Sequence, residues 1–249
     1  MDQESILKAA PFLKKRLFFH ETVDSTNIQA RALLQLGISD GVIIAAAQTA
    51  GKGRLNRSFY SPANGIYLSM ILPLCNAAPF ATIRAASGIC RALTEITAHP
   101  IAIKWVNDLL LNGYKVVGIL AETAKNHIVL GIGINVNNPP EDFLPALPHV
   151  SSLSAQCQIT FPLEEVIAKV VLAVDAVWTE DEGSVMTYYR KHLISLGRHV
   201  TVIQDQSERK GVATDLMSDG TLMVLFDDSG QVEPVISGDV SLRGLQGYF

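Results

Sequence analysis

A cluster of basic residues lies in a glycine-rich stretch of this sequence, GKGRLNRSFYSP at residues 51–62. Lys52, Arg54 and Arg57 are close together, and the first two alternate with glycines. Glycines allow backbone N–H groups to approach an anion closely and to form an anion-binding nest, and arginine binds phosphate or carboxylate through paired hydrogen bonds. The segment is either a loop that binds a small anion or a solvated turn, and taken alone it is more typical of the turn.

Two common phosphate-binding motifs do not explain this loop. AGKGR lacks the upstream glycine of the nucleotide-hydrolase phosphate loop, and Gly53 stands where that motif has serine or threonine. GIGINV at residues 131–136 begins like a dinucleotide-binding fingerprint but lacks its final glycine. We therefore expect the glycines of GIGINV to relieve crowding beside a ligand or to mark a bulge.

A second polar group lies in KWVNDLLLNGYKVVGIL at residues 104–120. Asp108 is able to bind a metal ion or accept a proton, and Lys115 begins an apolar strand in which a charged amine needs a partner. The alternative is an Asn-Asp turn followed by a lysine whose amine reaches solvent. For the segment taken alone, this alternative is the better interpretation.

A third polar group is DSTN at residues 24–27. Thr26 followed by Gln29 matches a capping box, which is the better interpretation of this segment alone. The same hydroxyl and amide groups are also able to hold a polar ligand at the start of a helix. Gln48, at the end of an apolar strand, is able to face the same space.

The elements that position these groups are indicated by hydrophobic periodicity and by turn residues. Helices are predicted over 26–36, 79–98, 163–181 and 184–194, and strands over 41–48, 65–72, 101–105, 114–123 and 127–136. NDLLLNG and AKN are predicted to be turns, 139–150 a proline-rich loop, and 5–19 either a helix or an extended segment. Because strands and helices do not alternate regularly, the fold class is α+β with a mixed sheet.

The composition changes after residue 196. From Gly197 onward, short runs of alternating hydrophobicity are separated by turns that contain Ser, Asp and Gly. This pattern predicts a small β-barrel. We therefore predict two domains, a mixed-sheet domain over 1–196 and a barrel domain over 197–249.

The overall composition excludes several classes of protein. The formal net charge is −4 and 48% of the 249 residues are hydrophobic, so a packed core is expected and a surface built for nucleic acid is not. The three cysteines, Cys75, Cys90 and Cys157, match no zinc or disulfide pattern and are predicted to be buried free thiols. The sequence shows no secretory signal and no apolar run of about 18 residues, so a soluble, cytoplasmic protein is expected.

The polar segments occur in an order that resembles the biotin protein ligases: DSTN, AAAQTAGKGRLNRSFYSP, KWVNDLLLNGYKVVGILAE, GIGINVN and GDVSLRG. The resemblance extends from about residue 18 to residue 244. It implies a catalytic fold shared with lipoate ligases, followed by an SH3-like barrel. It also implies synthesis of biotinyl-5′-AMP from biotin and MgATP, and transfer of biotin to a lysine of a biotin carboxyl carrier protein.

The resemblance also implies roles for individual residues. Biotin-binding positions are Ser25, Thr26, Asn27, Gln48, Gly51, Lys52, Gly53, Arg54, Lys115 and Gly118. Positions that bind ATP or the adenylate are Arg54, Arg57, Asn107, Lys115, Asn135 and Arg243. Lys115 and Arg54 are the expected catalytic cations, and Asp108 is the expected base for the acceptor lysine. The residues that would hold a metal ion are not assigned.

The same resemblance sets expectations for cofactors and partners. ATP with Mg²⁺ is a co-substrate, biotin is a substrate, and no tightly bound prosthetic group is expected. The carrier protein is the expected partner, a membrane is not, and a homodimer is left open. Because 24 residues precede Ser25, too few for a winged helix, direct DNA binding is not expected.

The sequence departs from the family pattern at several positions. Lys52 stands where arginine is frequent, Phe59 where tryptophan is frequent, and Val106 where proline is usual. The 139–150 loop contains no tryptophan that could cover adenine. These departures affect the expected details of adenine binding.

Two other functions are compatible with parts of the pattern. A lipoate or octanoate ligase would use the same catalytic fold, but the C-terminal barrel and the GKGR segment favour biotin. A non-catalytic biotin sensor would also bind biotin, but it would not need Lys115, Arg54 and Asp108.

Overall fold

The computed structural model describes residues 3–11, 13–74, 78–204, 207–236 and 240–244. Its first sheet contains β1 (Leu17–Val23), β2 (Gly41–Gln48), β3 (Ile66–Pro73), β4 (Ile101–Lys104), β5 (Asp108–Leu111), β6 (Tyr114–Ala124) and β7 (His127–Ile134). The helices are α1 (Gln3–Ala9), α2 (Thr26–Gln35), α3 (Ala78–Thr97), α4 (Leu153–Cys157), α5 (Leu163–Trp178) and α6 (Glu182–His192). Short 3₁₀ turns cover Arg54–Asn56 and Pro140–Asp142.

The first sheet is mixed, with strand order β1-β2-β3-β7-β6-β5-β4. The β1–β2 pair is parallel, and the other neighbouring pairs are antiparallel. Alternate residues of β2 face opposite sides: Val42 and Ile44 join the main core with α3 and α5, whereas Ile43 packs under α2. This two-residue period buries both faces of the sheet.

The sequence prediction of a turn over NDLLLNG is wrong, because this segment contains strand β5. Leu109, Leu110 and Leu111 are buried on both faces of the sheet. Asn112 and Gly113 then form the turn to β6 with positive φ values of 52° and 83°. Such a turn suits a tight antiparallel hairpin, so the turn residues are a single Asn-Gly pair rather than the whole segment.

The N-terminal segment, which the sequence left undecided, contains both α1 and strand β1. β1 pairs in parallel with β2, so it forms one edge of the sheet. The predicted helices and the other predicted strands of the sheet are present, with ends shifted by at most a few residues, and the short helix α4 was not predicted.

A second, antiparallel sheet follows α6. It contains β8 (His199–Gln204), β9 (Ser207–Leu216), β10 (Leu222–Phe226), β11 (Val232–Val235) and β12 (Val240–Gly244), in the order β11-β10-β9-β8-β12. The α+β fold class with a small C-terminal β unit is therefore confirmed. The predicted boundary near residue 196 lies in the connection between α6 and β8.

One turn of the second sheet packs directly against the first unit. Gly220 has a φ of 89°, and a Cβ atom there would lie 2.4 Å from Cδ1 of Ile83. The indole N–H of Trp105 donates a 3.0 Å hydrogen bond to the carbonyl of Gly220. A glycine at this turn thus permits both the left-handed backbone and the close approach.

Other expectations concern the cysteines and membranes. Cys90 is buried as predicted, Cys157 is only half-buried, and Cys75 lies outside the described residues. No helix among the described residues combines the length and the apolar character that a membrane crossing requires.

Candidate functional site

The three polar groups singled out in the sequence meet in one cleft at the end of β2. Most of the predicted site residues line it: Ser25, Thr26, Asn27, Gln48, Lys52, Gly53, Arg54, Arg57, Asn107, Asp108, Lys115 and Gly118. Residues almost a hundred positions apart in the chain therefore share one site. The cleft has two sides. We call the neutral side, around Thr26, Asn27 and Gln48, the head side, and the side that carries Lys52, Arg54, Arg57 and Lys115 the charged side.

The head side begins with Thr26 at the start of α2 and Gln48 at the end of β2. Oε1 of Gln48 accepts a 2.9 Å hydrogen bond from the backbone N–H of Thr26 and a 3.2 Å hydrogen bond from its hydroxyl. Because a backbone N–H can only donate, this contact fixes which atom of the Gln48 amide is the oxygen. The expectation that Gln48 faces the same space as DSTN is confirmed.

The capping-box interpretation of DSTN is wrong. Ser25, not Thr26, is the N-cap residue of α2, and its side chain makes no capping hydrogen bond. Gln29 instead donates a 3.0 Å hydrogen bond to Oδ1 of Asp24. The Thr26 side chain is thereby left to contact Gln48 and the cleft.

A buried serine links the head side together. The Ser69 hydroxyl, on β3, lies 2.7 Å from Oγ1 of Thr26 and 2.6 Å from Oδ1 of Asn27. Ser69 is fully buried, and Thr26 and Asn27 are 3% and 4% exposed. These neutral groups are therefore held in fixed orientations by one another.

The side-chain nitrogen of Gln48 contacts the glycine-rich segment of residues 51–62, which we call the basic loop. Its Nε2 donates a 2.9 Å hydrogen bond to the Ser61 hydroxyl, which donates to the carbonyl of Phe59. Gly51 lies against this contact, because a Cβ there would be 2.5 Å from the Phe59 carbonyl oxygen. Gly51 does not line the cleft in the described residues, and its role is to let the loop pass close to Gln48.

The basic loop has a defined backbone. Lys52 and Ser58 form an antiparallel bridge, and the N–H of Gly53 donates a 2.7 Å hydrogen bond to the carbonyl of Arg57. That N–H is therefore used within the loop and is not directed at a ligand, as an anion nest would require. Leu55 has a φ of 56°, a left-handed conformation that costs about 1–2 kcal/mol for a residue with a side chain.

The loop is tied across the cleft by Arg54. One guanidinium nitrogen lies 3.3 Å from Oδ1 of Asn107. Asn107 is itself held by β6, since its Nδ2 donates to the carbonyl of Ile119 at 3.0 Å and its own carbonyl accepts the N–H of Ile119 at 2.9 Å. Asn107 thus presents a fixed acceptor to Arg54.

Lys115 and Asp108 form an ion pair in the cleft, with Nζ 2.7 Å from Oδ1. This is the partner that the apolar surroundings of Lys115 required. The Lys115 backbone is held by hydrogen bonds to His149 and Ser151, at 2.9 and 3.0 Å. The Lys115 amine also lies 5.8 Å from the centre of the Phe59 ring, which favours a cation there.

An irregularity in the sheet directs Lys115 into the cleft. Residues three apart on a regular strand point to opposite faces. The β5–β6 register shifts between Leu109 and Leu110, so one extra residue of β6 is accommodated. Lys115 and Gly118 therefore share a face, and a Cβ at Gly118 would lie 3.4 Å from Cε of Lys115.

The glycines around Phe59 make room for its ring. A Cβ at Gly118 would lie 2.6 Å from the ring, and a Cβ at Gly133 would lie 2.3 Å from it. Gly131 makes similar room for Oδ1 of Asn27, at 2.3 Å. The expectation that the glycines of GIGINV relieve crowding is thus correct in kind, but the crowding comes from side chains of the protein.

Two residues predicted to contact the adenylate, Asn135 and Arg243, are not among the described residues that line the cleft. Asn135 is buried and does not line the cleft among the described residues; its Nδ2 donates a 3.1 Å hydrogen bond to the carbonyl of Ser151. It positions the segment that holds Lys115. Arg243 lies on β12, and its side chain is outside the described residues.

Sequence reasoning assigned no site role to several residues that belong to the site. Lys104 and Trp105 line the cleft, and Lys104 pairs across the β4–β5 hairpin with Asp108. Ser69 is the one small polar residue in the apolar run IYLSMIL, and this isolation is a signal that could have identified it. Within the described residues, no cluster of three or more His, Cys, Asp or Glu side chains is placed to bind a metal ion.

Comparisons with known proteins agree with this architecture. Residues 20–137 match the biotin/lipoate A/B protein ligase family. The chain is 30% identical over 227 residues to the biotin–[acetyl-CoA-carboxylase] ligase of Mycobacterium tuberculosis, covering 87% of this chain and 85% of that protein. It is 28% identical over 244 residues to the bifunctional ligase/repressor BirA of Bacillus subtilis, covering 92% and 74%.

The fold gives the same result. A structure of the biotin protein ligase from Aquifex aeolicus in complex with biotin and ATP superposes with a TM-score of 0.79 at 28% identity, covering 92% of this chain and 99% of that one. This likeness spans both the mixed sheet and the C-terminal β unit, because nearly the whole of each chain is included. Together with the relatives found by sequence, it shows that the chain belongs to the biotin protein ligase family.

Proposed function

We propose that the protein activates biotin with MgATP to form biotinyl-5′-AMP and then transfers the biotinyl group to a lysine of a biotin carboxyl carrier protein. Family membership and the relatives that bind biotin and ATP support this activity. The observation that carries it is the juxtaposition, in one cleft, of the neutral head side with Lys52, Arg54, Arg57 and Lys115. We assign catalysis to residues 1–196 and treat 197–249 as the barrel domain.

The head side suits a cyclic urea, the polar ring group of biotin. Oε1 of Gln48 can only accept, so the Thr26 hydroxyl directs its proton there. A lone pair of Thr26 Oγ1 is then available to an N–H of the urea. The dithiolane ring of lipoate has no N–H, so it would leave this buried acceptor unpaired, at a cost of about 1–3 kcal/mol.

The charged side suits the first half-reaction. An oxygen of the biotin carboxylate attacks the α-phosphorus of ATP, and the bond to pyrophosphate breaks. Both reactants are anionic, and negative charge grows on the phosphate oxygens in the transition state. Lys115, Arg54 and Arg57 supply positive charge at this position, with the acyl and phosphate groups bound between the loop and β6.

Asp108 serves the second half-reaction in this proposal. The acceptor amine has an ordinary pKa of about 10.4, so deprotonation at pH 7 is uphill by about 4.6 kcal/mol. When Lys115 turns from Asp108 to the phosphate of the adenylate, the Asp108 carboxylate becomes able to take a proton from the acceptor lysine. The amine then attacks the acyl carbon, and AMP leaves.

The surroundings of the reaction are inferred from composition. A net charge of −4 favours small molecules and a protein partner over nucleic acid, and the free thiol of Cys90 is typical of a reducing compartment. We therefore propose that the protein acts in the cytoplasm.

The direct test is release of pyrophosphate by the purified protein. We expect release to require biotin, to fail with lipoate or octanoate, and to be followed by labelling of a carrier protein at one lysine. Release with lipoate in preference to biotin would indicate a lipoate ligase. Binding of biotin without pyrophosphate release would indicate a sensor and would contradict the proposal.

A further inference from the structure

Three charged residues of the cleft lie side by side on neighbouring strands. Asp108 is the first residue of β5, which lies between β4 and β6 in the sheet. On one side, Lys104 is the last residue of β4 and the cross-strand neighbour of Asp108. On the other side, Lys115 of β6 places its amine 2.7 Å from Oδ1 of Asp108. One carboxylate thus has a lysine on each flanking strand, and Lys104 has no part in the two half-reactions as proposed.

The alternation of the strands places Lys104 and Asp108 on the same face. Ile103 and Leu109, the next pair in the register, both join the main core. Because successive residues of a strand point to opposite faces, Lys104 and Asp108 face the cleft, and both line it. Cross-strand neighbours have Cβ atoms about 4.5–5.5 Å apart, which is within reach of the four-carbon side chain of lysine.

The burial of these residues makes their charge balance important. Lys104 is 4% exposed and Asp108 is 8% exposed. A buried ion that loses its partner is strongly destabilised, so an ionised Asp108 needs a cation throughout the reaction. In the proposed chemistry both Lys115 and Arg54 act on the phosphate. Without another cation, Asp108 would hold Lys115 back from the phosphate.

We propose that Lys104 is a positioning residue that becomes the counter-ion of Asp108 when Lys115 turns to the α-phosphate, and so releases Lys115 for adenylate formation. The inference rests on the proposed function, because it concerns the same cleft and the same first half-reaction. Lys104 acts through Asp108 and does not contact the substrate. A carboxylate has two oxygens with several acceptor positions, so Asp108 is still able to accept a proton from the acceptor lysine.

The principal test is Lys104→Met, which removes the charge and keeps a side chain of similar length. We expect adenylate formation to slow about 10–100-fold, because Asp108 then retains Lys115. The Kd for biotin, measured without ATP, should stay within twofold, because the head side is unchanged. Single-turnover formation of biotinyl-5′-AMP at saturating biotin and MgATP, together with equilibrium binding of biotin, measures the two effects.

Lys15→Met is the matched control. The Lys15 side chain is 12% exposed, and its amine lies 3.0 Å from Asp40 and 3.1 Å from Asp175. Lys15 is therefore also a largely buried lysine with carboxylate partners, but it is not among the described residues that line the cleft. Its loss should lower Tm and leave the rate of adenylate formation within twofold. Equal slowing in Lys15→Met and Lys104→Met would overturn the inference.

A second test asks whether Lys104 acts through Asp108. In Asp108→Asn no carboxylate retains Lys115, so adding Lys104→Met should change the rate of adenylate formation by less than twofold. A lysine that contacted the phosphate directly would be missed equally in both backgrounds. If Lys104→Met alone does not fold, Lys104→Met/Asp108→Asn takes its place, because it removes both charges, and its rate should equal that of Asp108→Asn.

The outcomes distinguish the two proposals. A parent protein that forms no biotinyl-5′-AMP would overturn the proposed function and this inference with it. An active parent whose Lys104→Met variant keeps its rate within twofold would overturn the inference and leave the function standing. A slowing by Lys104→Met that is as large in the Asp108→Asn background as in the parent would also overturn the inference alone.

Discussion

The two sides of the cleft are built in opposite ways. On the head side, Thr26, Asn27 and Ser69 are less than 5% exposed and are hydrogen-bonded to one another. On the charged side, Lys52 and Arg57 are exposed residues of the basic loop with long side chains. The first side is buried and held by its own hydrogen bonds, whereas the second carries charges that lie near water.

This difference follows from what each side must recognise. A urea ring keeps its donors and acceptors throughout the reaction, so fixed partners give the most discrimination, and each unmatched buried group costs about 1–3 kcal/mol. Phosphate and acyl groups form and leave. Charges near water are worth little until a ligand excludes the water, so exposed cations are suited to a charge that is present only for part of the reaction.

The largest effect is expected on the charged side, from Asp108→Asn. Asn can still accept a hydrogen bond from Lys115, but it cannot act as a base near neutral pH. Transfer to the carrier should fall about 10²–10⁴-fold while adenylate formation persists, and higher pH should partly restore transfer because more acceptor amine is neutral. Single-turnover assays of the two steps across pH measure this. Loss of adenylation with normal transfer from added biotinyl-5′-AMP would contradict the assignment.

Lys115→Ala should affect the other half-reaction. Removing a positive charge at the growing charge of the transition state should slow adenylate formation about 10²–10³-fold. Biotin binding should change much less, because the head side is intact. Lys169→Ala, which removes an exposed lysine on α5, is the control, and equal losses in the two variants would show that the effect is not specific to the cleft.

Arg54→Ala tests whether the loop holds the intermediate more than the substrate. We expect dissociation of preformed biotinyl-5′-AMP to become about tenfold faster, while the affinity for biotin changes less than twofold. The reason is that the adenylate carries a phosphate that biotin lacks. Stopped-flow dissociation and equilibrium binding measure the two quantities, and equal losses for both ligands would argue against a charged side specialised for phosphate.

These predictions also show how much the sequence determines. Lys52, Arg54 and Arg57 were singled out as a possible anion site from type and spacing, because they are close together in the chain. Taken alone the segment was more typical of a turn, and the resemblance was needed to assign these cations to a site. Strands β2 and β3 were identified from local hydrophobicity. Each of these features depends on residues close in sequence, and local patterns are sufficient to find them.

The head side could be predicted only in part. Thr26, Asn27 and Gln48 were assigned through a resemblance, whereas Ser69 was not found. Their roles depend on contacts between α2, β3 and β6 and on the direction of hydrogen bonds, which no spacing along the chain encodes. The register shift that turns Lys115 toward the cleft could not be predicted from the sequence for the same reason.

The smallest effect is expected at the outer edge of the head side, from Asp24→Asn. Asp24 accepts hydrogen bonds from the Gln29 side chain and from the backbone N–H of Ser25, and these bonds, the one from Gln29 first, hold the pKa of Asp24 below its ordinary value. A carboxyl group with a lowered pKa contributes stability that is present above its unfolded pKa, about 3.9, and is lost as pH falls through its folded pKa. Because Asp24 is exposed, the variant should lower Tm by only about 1–2 °C at pH 7.

The pH dependence of Tm, compared with the KM for biotin, tests whether Asp24 stabilises the start of α2 without affecting biotin recognition. The Tm difference between Asp24→Asn and the parent should be constant from pH 7 to pH 5 and should shrink below about pH 4, where the parent carboxylate takes up its proton. The KM for biotin should stay within twofold at pH 7, because Asp24 has no contact with Asn27 or Ser69 in the described chain. Thermal unfolding between pH 3 and pH 7, with kinetics at pH 7, makes the measurement. A Tm difference that is independent of pH would show that Asp24 acts through packing, and a large rise in the KM for biotin would show that the head side depends on the start of helix α2.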